Sequence, residues 1–370
     1  GATREITMLR LVAALTLAAS PALAEIHQTS AGPVEVTRLV SDLDTPWSVA
    51  FLPDGTFLIT ERDGALLHAS DGETKAISGV PEVEASGQGG LFDVVLARDF
   101  AETREIFLSY AETRDRRTGT ALAVARLSDD AKALEDLRVI FRMNSDGGGR
   151  HFGGRIVEAP DGHLFLTLGD RGDRPSAQSE REHNGKVIRI ARDGSVPADN
   201  PFIGGPYPPE AWSVGHRNPQ GFALDAEGRL WTNSHGARGG DEINLIEPGL
   251  NYGWPVISYG VHYTYLPIGE GTAKEGMEQP KFYWDPSIAP SGMTIYSGAL
   301  WPEWEGDLFV GSLKFDMISR LDRNGEEIGG EERLFVDEYY RIRDVREGPD
   351  GALYFLAEAD GALYRVAPAE

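Results

Sequence analysis

One unit recurs along this chain and restricts its fold more than any other feature. A short apolar strand passes through a Pro-Asp-Gly-like turn into a second strand rich in apolar and aromatic residues. Residues 47–51 lead through Pro53-Asp54-Gly55 to 57–60, and 90–96 through 98–104 to 106–108. Residues 155–158 lead through Pro160-Asp161-Gly162 to 164–168, and 221–224 through Ala226-Glu227-Gly228 to 230–232. Residues 293–297 lead through 301–306 to 307–310, and 344–347 through Pro349-Asp350-Gly351 to 353–356. Further strands follow, as at 121–126 and 138–142. Six copies of a four-stranded unit, roughly 45 to 70 residues apart, predict an all-β, six-bladed β-propeller with four antiparallel strands per blade. A sheet with two apolar faces must bury both, and radial stacking supplies both neighbours. A β-sandwich would need shorter, more even spacing. The ring is expected to close by pairing 34–39 with the last strand, 362–366.

The ends and the charge bound the rest. Arg10, an apolar run at 11–19 and Pro21-Ala22-Leu23-Ala24 before Glu25 read as an export leader over 1–24, starting at Met8 and cleaved near Ala24. Residues 1–7 read as an extension; a buried N-terminal helix is the alternative. The run is too short to span a bilayer. Residues 25–32 are expected to be a linker and 33–370 a single propeller domain, exported without membrane insertion. The absence of cysteine leaves stability to the core. With 35 Lys and Arg against 58 Asp and Glu, the formal charge of −23 argues against nucleic acid and anionic membranes as partners.

A propeller also says where a site must be. The innermost strands of all blades run the same way, so their entry points share one face, and the antiparallel second strands exit on it. Entries carry Gln88, His151, Arg217-Asn218, and Arg341 with Arg343; exits carry Asp170, the loop 234–241 and Lys314. Four cations gathered on one rim of an acidic chain predict a polyanionic ligand. Pairing of these bases with local acids such as Asp344 is the alternative. His151 and Asp170 flank the hairpin turned by Pro160-Asp161-Gly162-His163, so they should meet on that rim, where a carboxylate can orient an imidazole. Alone, the pair reads first as a loop histidine beside a turn aspartate.

The chain carries no phosphate-binding Gly-x-x-x-x-Gly-Lys loop, no His-Glu-x-x-His helix and no Gly-x-Ser-x-Gly elbow. Other segments are more specific. They are Gly87-Gln88-Gly89-Gly90, His151-Phe152-Gly153-Gly154-Arg155, Leu168-Gly169-Asp170 and Gly215-His216-Arg217-Asn218-Pro219-Gln220-Gly221. With them stand Gly239-Gly240-Asp241-Glu242-Ile243-Asn244 through Asn251-Tyr252-Gly253-Trp254-Pro255, and Arg341-Ile342-Arg343-Asp344-Val345. In this order and spacing, over about residues 35–367, they resemble the soluble pyrroloquinoline-quinone (PQQ)-dependent sugar dehydrogenases, in particular the periplasmic aldose sugar dehydrogenase branch.

The resemblance implies PQQ and Ca²⁺ as cofactors, an aldose oxidised at C1 to a lactone, and an external electron acceptor. It implies His151 as general base, Asp170 as its orienter and Arg217 as the residue polarising the quinone carbonyl. Gln88, Asn218, Lys314, Arg341 and Arg343 would be further cofactor contacts. It places one calcium at the carbonyls of Gly236 and Ala237 and a second near Glu242 and Tyr252; hard oxygen donors suit the ion. The likeness departs at Ala237, where the family usually has proline, and His216 matches a variable position. Tyr263, Trp284 and Tyr296 are candidates for a sugar-facing aromatic wall, with Tyr263 also beside the cofactor. A monomer or a homodimer is expected. A calcium-dependent propeller lactonase with His151 activating water, and a non-catalytic carbohydrate-binding propeller, are the alternatives.

Overall fold

The aspartate of each Pro-Asp-Gly turn folds its own hairpin. In the computed structural model, which describes residues 24–144 and 147–370, the Oδ1 of Asp54, Asp161 and Asp350 accepts the backbone N–H two residues on, at 3.0 to 3.1 Å. Asp225 does the same for Glu227 ahead of the Ala-Glu-Gly turn. The glycine that follows sits at a φ between 81° and 87° at each of the four turns, a region open to it because it lacks Cβ.

Among the described residues these hairpins build six antiparallel sheets, the blades of a six-bladed propeller. The innermost strands are Pro46–Phe51, Leu91–Leu96, Ile156–Glu158, Pro219–Leu224, Pro290–Ile295 and Ile342–Glu347. The ring closes as expected: Gly32–Val40 pairs with Ala362–Pro368, Val36 opposite Val366. The expected linker over 25–32 is corrected. Ala24–Thr29 is a fifth strand on the closing blade, Glu25 opposite Val36 and His27 opposite Val34. The edge of Gly32–Val40 offers unpaired backbone groups, and the preceding segment satisfies them through a turn fixed by Thr29 Oγ1 on the Gly32 carbonyl. The expected leader, apart from Ala24, lies outside the described residues.

Stacking buries both faces of every blade. Phe107, Leu122 and Val124 of the second blade pack with Ile156, Leu166 and Ile188 of the third. Trp231 and Ile243 of the fourth meet Met293, Leu308 and Val310 of the fifth. Val40 and Leu363 of the sixth return to Val49 and Ile59 of the first. Phe107→Ala is expected to lower stability by about 3–5 kcal/mol, measured by chemical denaturation, because Phe107 is wholly buried between two blades.

The channel is plugged by charge. Arg155 lies 3.9 Å above the Trp47 ring, with Nη1 3.3 Å from Asp344. Arg346 bonds Asp344 at 2.9 Å and Asp93 at 2.8 Å. Two arginines and two aspartates thus neutralise one another, as a buried cluster must. Asp344 is therefore committed to Arg155 and Arg346, not to the rim bases.

Candidate functional site

The loop bearing His151 reaches the rim through a close approach. The His151 carbonyl lies so near Gly169 that a Cβ there would sit 2.0 Å from it, so no larger residue fits before Asp170. His151 itself takes a φ of 58°, a left-handed conformation that costs a non-glycine residue free energy. Its N–H donates to Gln88 Oε1 at 3.0 Å, which helps to hold it there. The Asp170 N–H donates to the Arg217 carbonyl at 2.8 Å, tying the third blade to the fourth.

These approaches set the histidine–aspartate pair. His151 Nδ1 is 2.6 Å from Asp170 Oδ1, which also accepts the Gly172 N–H at 2.8 Å. Oδ2 accepts the indole N–H of Trp254 at 2.8 Å. Burial works to raise the Asp170 pKa, but His151, Gly172 and Trp254 together hold it below its ordinary value. Burial pushes the His151 pKa down; the Asp170 bond opposes this, and Arg217 adds to the lowering. The consistent state is an ionised Asp170 holding a neutral imidazole by Nδ1–H, leaving the Nε2 lone pair as a base.

Trp254 was legible in the sequence only as part of a motif, and its position on a long excursion between strands hid its role. Its ring also lies 5.5 Å from the Arg217 guanidinium, so one side chain steadies both Asp170 and Arg217. Trp254→Phe keeps a ring and removes the donor. The carboxylate then leans harder on His151, and the imidazole is expected to titrate at higher pH than in the wild type, as read by ¹⁵N NMR of the apoprotein.

His151 faces a cavity of about 680 Å³ whose lining also holds Gln88, Arg217, Asn218, Gly236, Ala237, Tyr263 and Lys314. Arg341 and Arg343 line a second cavity of about 210 Å³. Gln88, Asn218, His235 and Ala289 line both, so the two adjoin. Arg217 donates to the Gly236 carbonyl at 2.8 Å, and its buried Nε has no partner. Arg343 does pair with a local acid, Glu358 at 2.8 Å, which also lies 3.7 Å from Arg341. His235, not singled out from the sequence, points its ring at the Pro290 carbonyl at 2.6 Å, and burial lowers its pKa to about 3.

The loop holding the Gly236 and Ala237 carbonyls is pinned by Asp241, which accepts the N–H groups of Gly236, Ile288 and Ala289 and the Ser287 hydroxyl. Glu242 is half-buried; burial raises its pKa to about 7, the Asn244 amide opposes this and Asp241 adds to it. The Oδ1 of Asn244 is buried without a partner. Tyr252 is less available than expected. Its hydroxyl donates to the Leu245 carbonyl and accepts the Glu247 N–H, leaving its backbone carbonyl as the ligand it could offer. Among the described residues no three His, Cys, Asp or Glu side chains gather as a metal site.

Two expected sugar-facing aromatics are corrected. Trp284 is buried between the fourth and fifth blades with its N–H on Glu331. Tyr296 is buried between the fifth and sixth, its hydroxyl on the Gly351 carbonyl in a turn that joins the two inner strands of the sixth blade. Both are apolar side chains spent on blade stacking. Tyr263 alone of the three lines the larger cavity, and it is exposed at the mouth.

A family model described as Glucose / Sorbosone dehydrogenase matches residues 43–365. The chain belongs to this family. Within the glucose/sorbosone dehydrogenases it is 46% identical over 345 residues to the aldose sugar dehydrogenase YliI of Escherichia coli K12, covering 90% of this chain and 93% of the relative. The crystal structure of the soluble aldose sugar dehydrogenase of Escherichia coli in its apo form superposes with a TM-score of 0.88 at 45% identity, covering 91% of this chain and all of that one. The PQQ-bound aldose sugar dehydrogenase of Streptomyces coelicolor superposes at 0.75 with 26% identity, covering 94% of this chain and all of that one.

Proposed function

We propose that this glucose/sorbosone dehydrogenase oxidises the C1 hydroxyl of aldoses to lactones with PQQ as cofactor, and passes the electrons to an external acceptor. The observation that carries the reading is the pairing in one cavity of a neutral His151, oriented by a buried carboxylate, with Arg217, whose buried Nε has no partner. PQQ, when bound, supplies an electrophilic quinone that accepts a hydride.

The chain's own residues supply the rest. His151 Nε2 takes the proton of the C1 hydroxyl, so that the electron pair of the breaking O–H bond becomes the carbonyl bond of the lactone as hydride leaves C1. Asp170, fixed by Gly172 and Trp254, holds Nδ1–H and stabilises the imidazolium that forms. Arg217 presents positive charge where negative charge develops on an oxygen. The residues fit a flat tricarboxylate: Arg217, Lys314, Arg341 and Arg343 face the adjoining cavities, and guanidinium forks match carboxylates. Calcium would draw on the Gly236 and Ala237 carbonyls, and a second ion on Glu242, the orphaned Asn244 Oδ1 and the Tyr252 carbonyl. These are hard oxygens suited to that ion. Export through the leader at 1–24 belongs to the same proposal and rests on sequence alone.

The lactonase reading asks for acidic metal ligands at the channel, and the lining is instead rich in guanidinium groups. The test adds PQQ and Ca²⁺ to purified apoprotein and follows dye reduction with a panel of aldoses. Quinone-dependent reduction is expected; lactone hydrolysis without quinone would sink the reading.

A further inference from the structure

The smaller cavity holds a cation that neither the motifs nor the pairing pattern accounts for. Arg62 follows the strand Phe57–Glu61, and its backbone is pinned on both sides, its N–H to the Thr45 carbonyl at 3.0 Å and its carbonyl to the Leu91 N–H at 2.9 Å. The stem lies against Gly90, where a Cβ would come within 2.7 Å of Arg62 Cγ, so the side chain has its path only because residue 90 is glycine. Its Nε is buried without a partner. Among the described residues the guanidinium has no side-chain hydrogen bond or ion pair, in a chain with 58 acids to 35 bases.

What it faces is the cavity of about 210 Å³ lined also by Arg341 and Arg343, and no carboxylate belongs to that lining. Glu358 stands behind the arginines and answers one of the three charges. Partly desolvated guanidinium groups held near one another repel unless an anion sits between them. A partly buried fork left open toward an acid-free cavity is therefore arranged for a carboxylate or a similar oxyanion.

We propose that Arg62 is a third carboxylate-binding guanidinium, completing with Arg341 and Arg343 an anion subsite at the inner end of the adjoining cavities. The subsite stands on these contacts; that its occupant is a carboxylate of PQQ rests on the reading above.

The test titrates wild-type, Arg62→Gln and Arg62→Lys apoprotein with PQQ and, separately, with benzene-1,3,5-tricarboxylate, an aromatic tricarboxylate that cannot accept a hydride. Arg62→Gln is expected to weaken both by about 10- to 100-fold, the range of a charge-assisted hydrogen bond. Arg62→Lys, which keeps charge and loses the fork, should fall between. Both variants should stay near the wild-type unfolding temperature, since the guanidinium makes no hydrogen bond or ion pair with the described residues, and its attraction to Glu358 is offset by repulsion from Arg343. Wild-type-like binding of both anions by Arg62→Gln overturns the proposal. Arg62-dependent binding of the tricarboxylate without any binding of PQQ upholds the subsite and removes the cofactor reading. Wild-type protein that binds neither overturns both.

Discussion

His151→Gln is expected to lower kcat for aldose oxidation by about 10²- to 10⁴-fold, the usual contribution of a positioned base, while quinone binding by the apoprotein stays near wild type. Glutamine can keep the backbone N–H on Gln88 and much of the side-chain volume, so the loss is confined to proton abstraction. The pH dependence follows from the same residue. Burial holds the His151 pKa below its ordinary 6.5, and the imidazole works when neutral. Wild-type kcat/KM therefore rises as pH climbs through that lowered pKa and is level at neutral pH. The acid limb should disappear in His151→Gln. Steady-state rates across pH, beside a quinone titration, check both parts; near-wild-type turnover would remove His151 from its role.

The second large effect is at Arg217. Arg217→Gln is expected to lower kcat by about 10²- to 10³-fold, as removal of a preorganised donor does where charge develops in the transition state. Its Nη1 also holds the Gly236 carbonyl, so some loss of calcium and quinone affinity accompanies the rate effect. Measuring kcat at saturating quinone and calcium separates the two. Arg217→Lys restores charge without the planar fork and should recover part of the rate. A variant whose entire defect vanishes at saturating cofactor would reduce Arg217 to a binding residue.

The propeller was legible because its signals are local. A turn aspartate that caps its own hairpin, followed by glycine at positive φ, marks the inner reversal in four of the six blades whatever the loop lengths around it. Strand 24–29 lacked such a signal: what orders it is the open edge of a neighbour far away in sequence. The site was legible to the extent that strand entries and exits share a face. Gln88, His151, Asp170, Arg217, Asn218, Lys314, Arg341 and Arg343 all reach the adjoining cavities or their wall.

The same rule applied to the first blade would have found Arg62, which follows the exit of Phe57–Glu61. Trp254 escaped because a long excursion separates it from any strand end, and only folding lays its indole on Asp170. Trp284 and Tyr296 were misplaced for a related reason: an aromatic suited to a sugar face is equally suited to the gap between blades, and composition does not tell the two apart.

The central claim is that C1 gives up a hydride to the quinone as its hydroxyl loses a proton. It is tested most directly by a single turnover of protein loaded with PQQ and Ca²⁺, without external acceptor, on an aldose carrying protium or deuterium at C1. The account predicts one lactone per chain, formed several-fold more slowly from the deuterated sugar. Equal rates for the two sugars, or lactone formed without quinone, would contradict it.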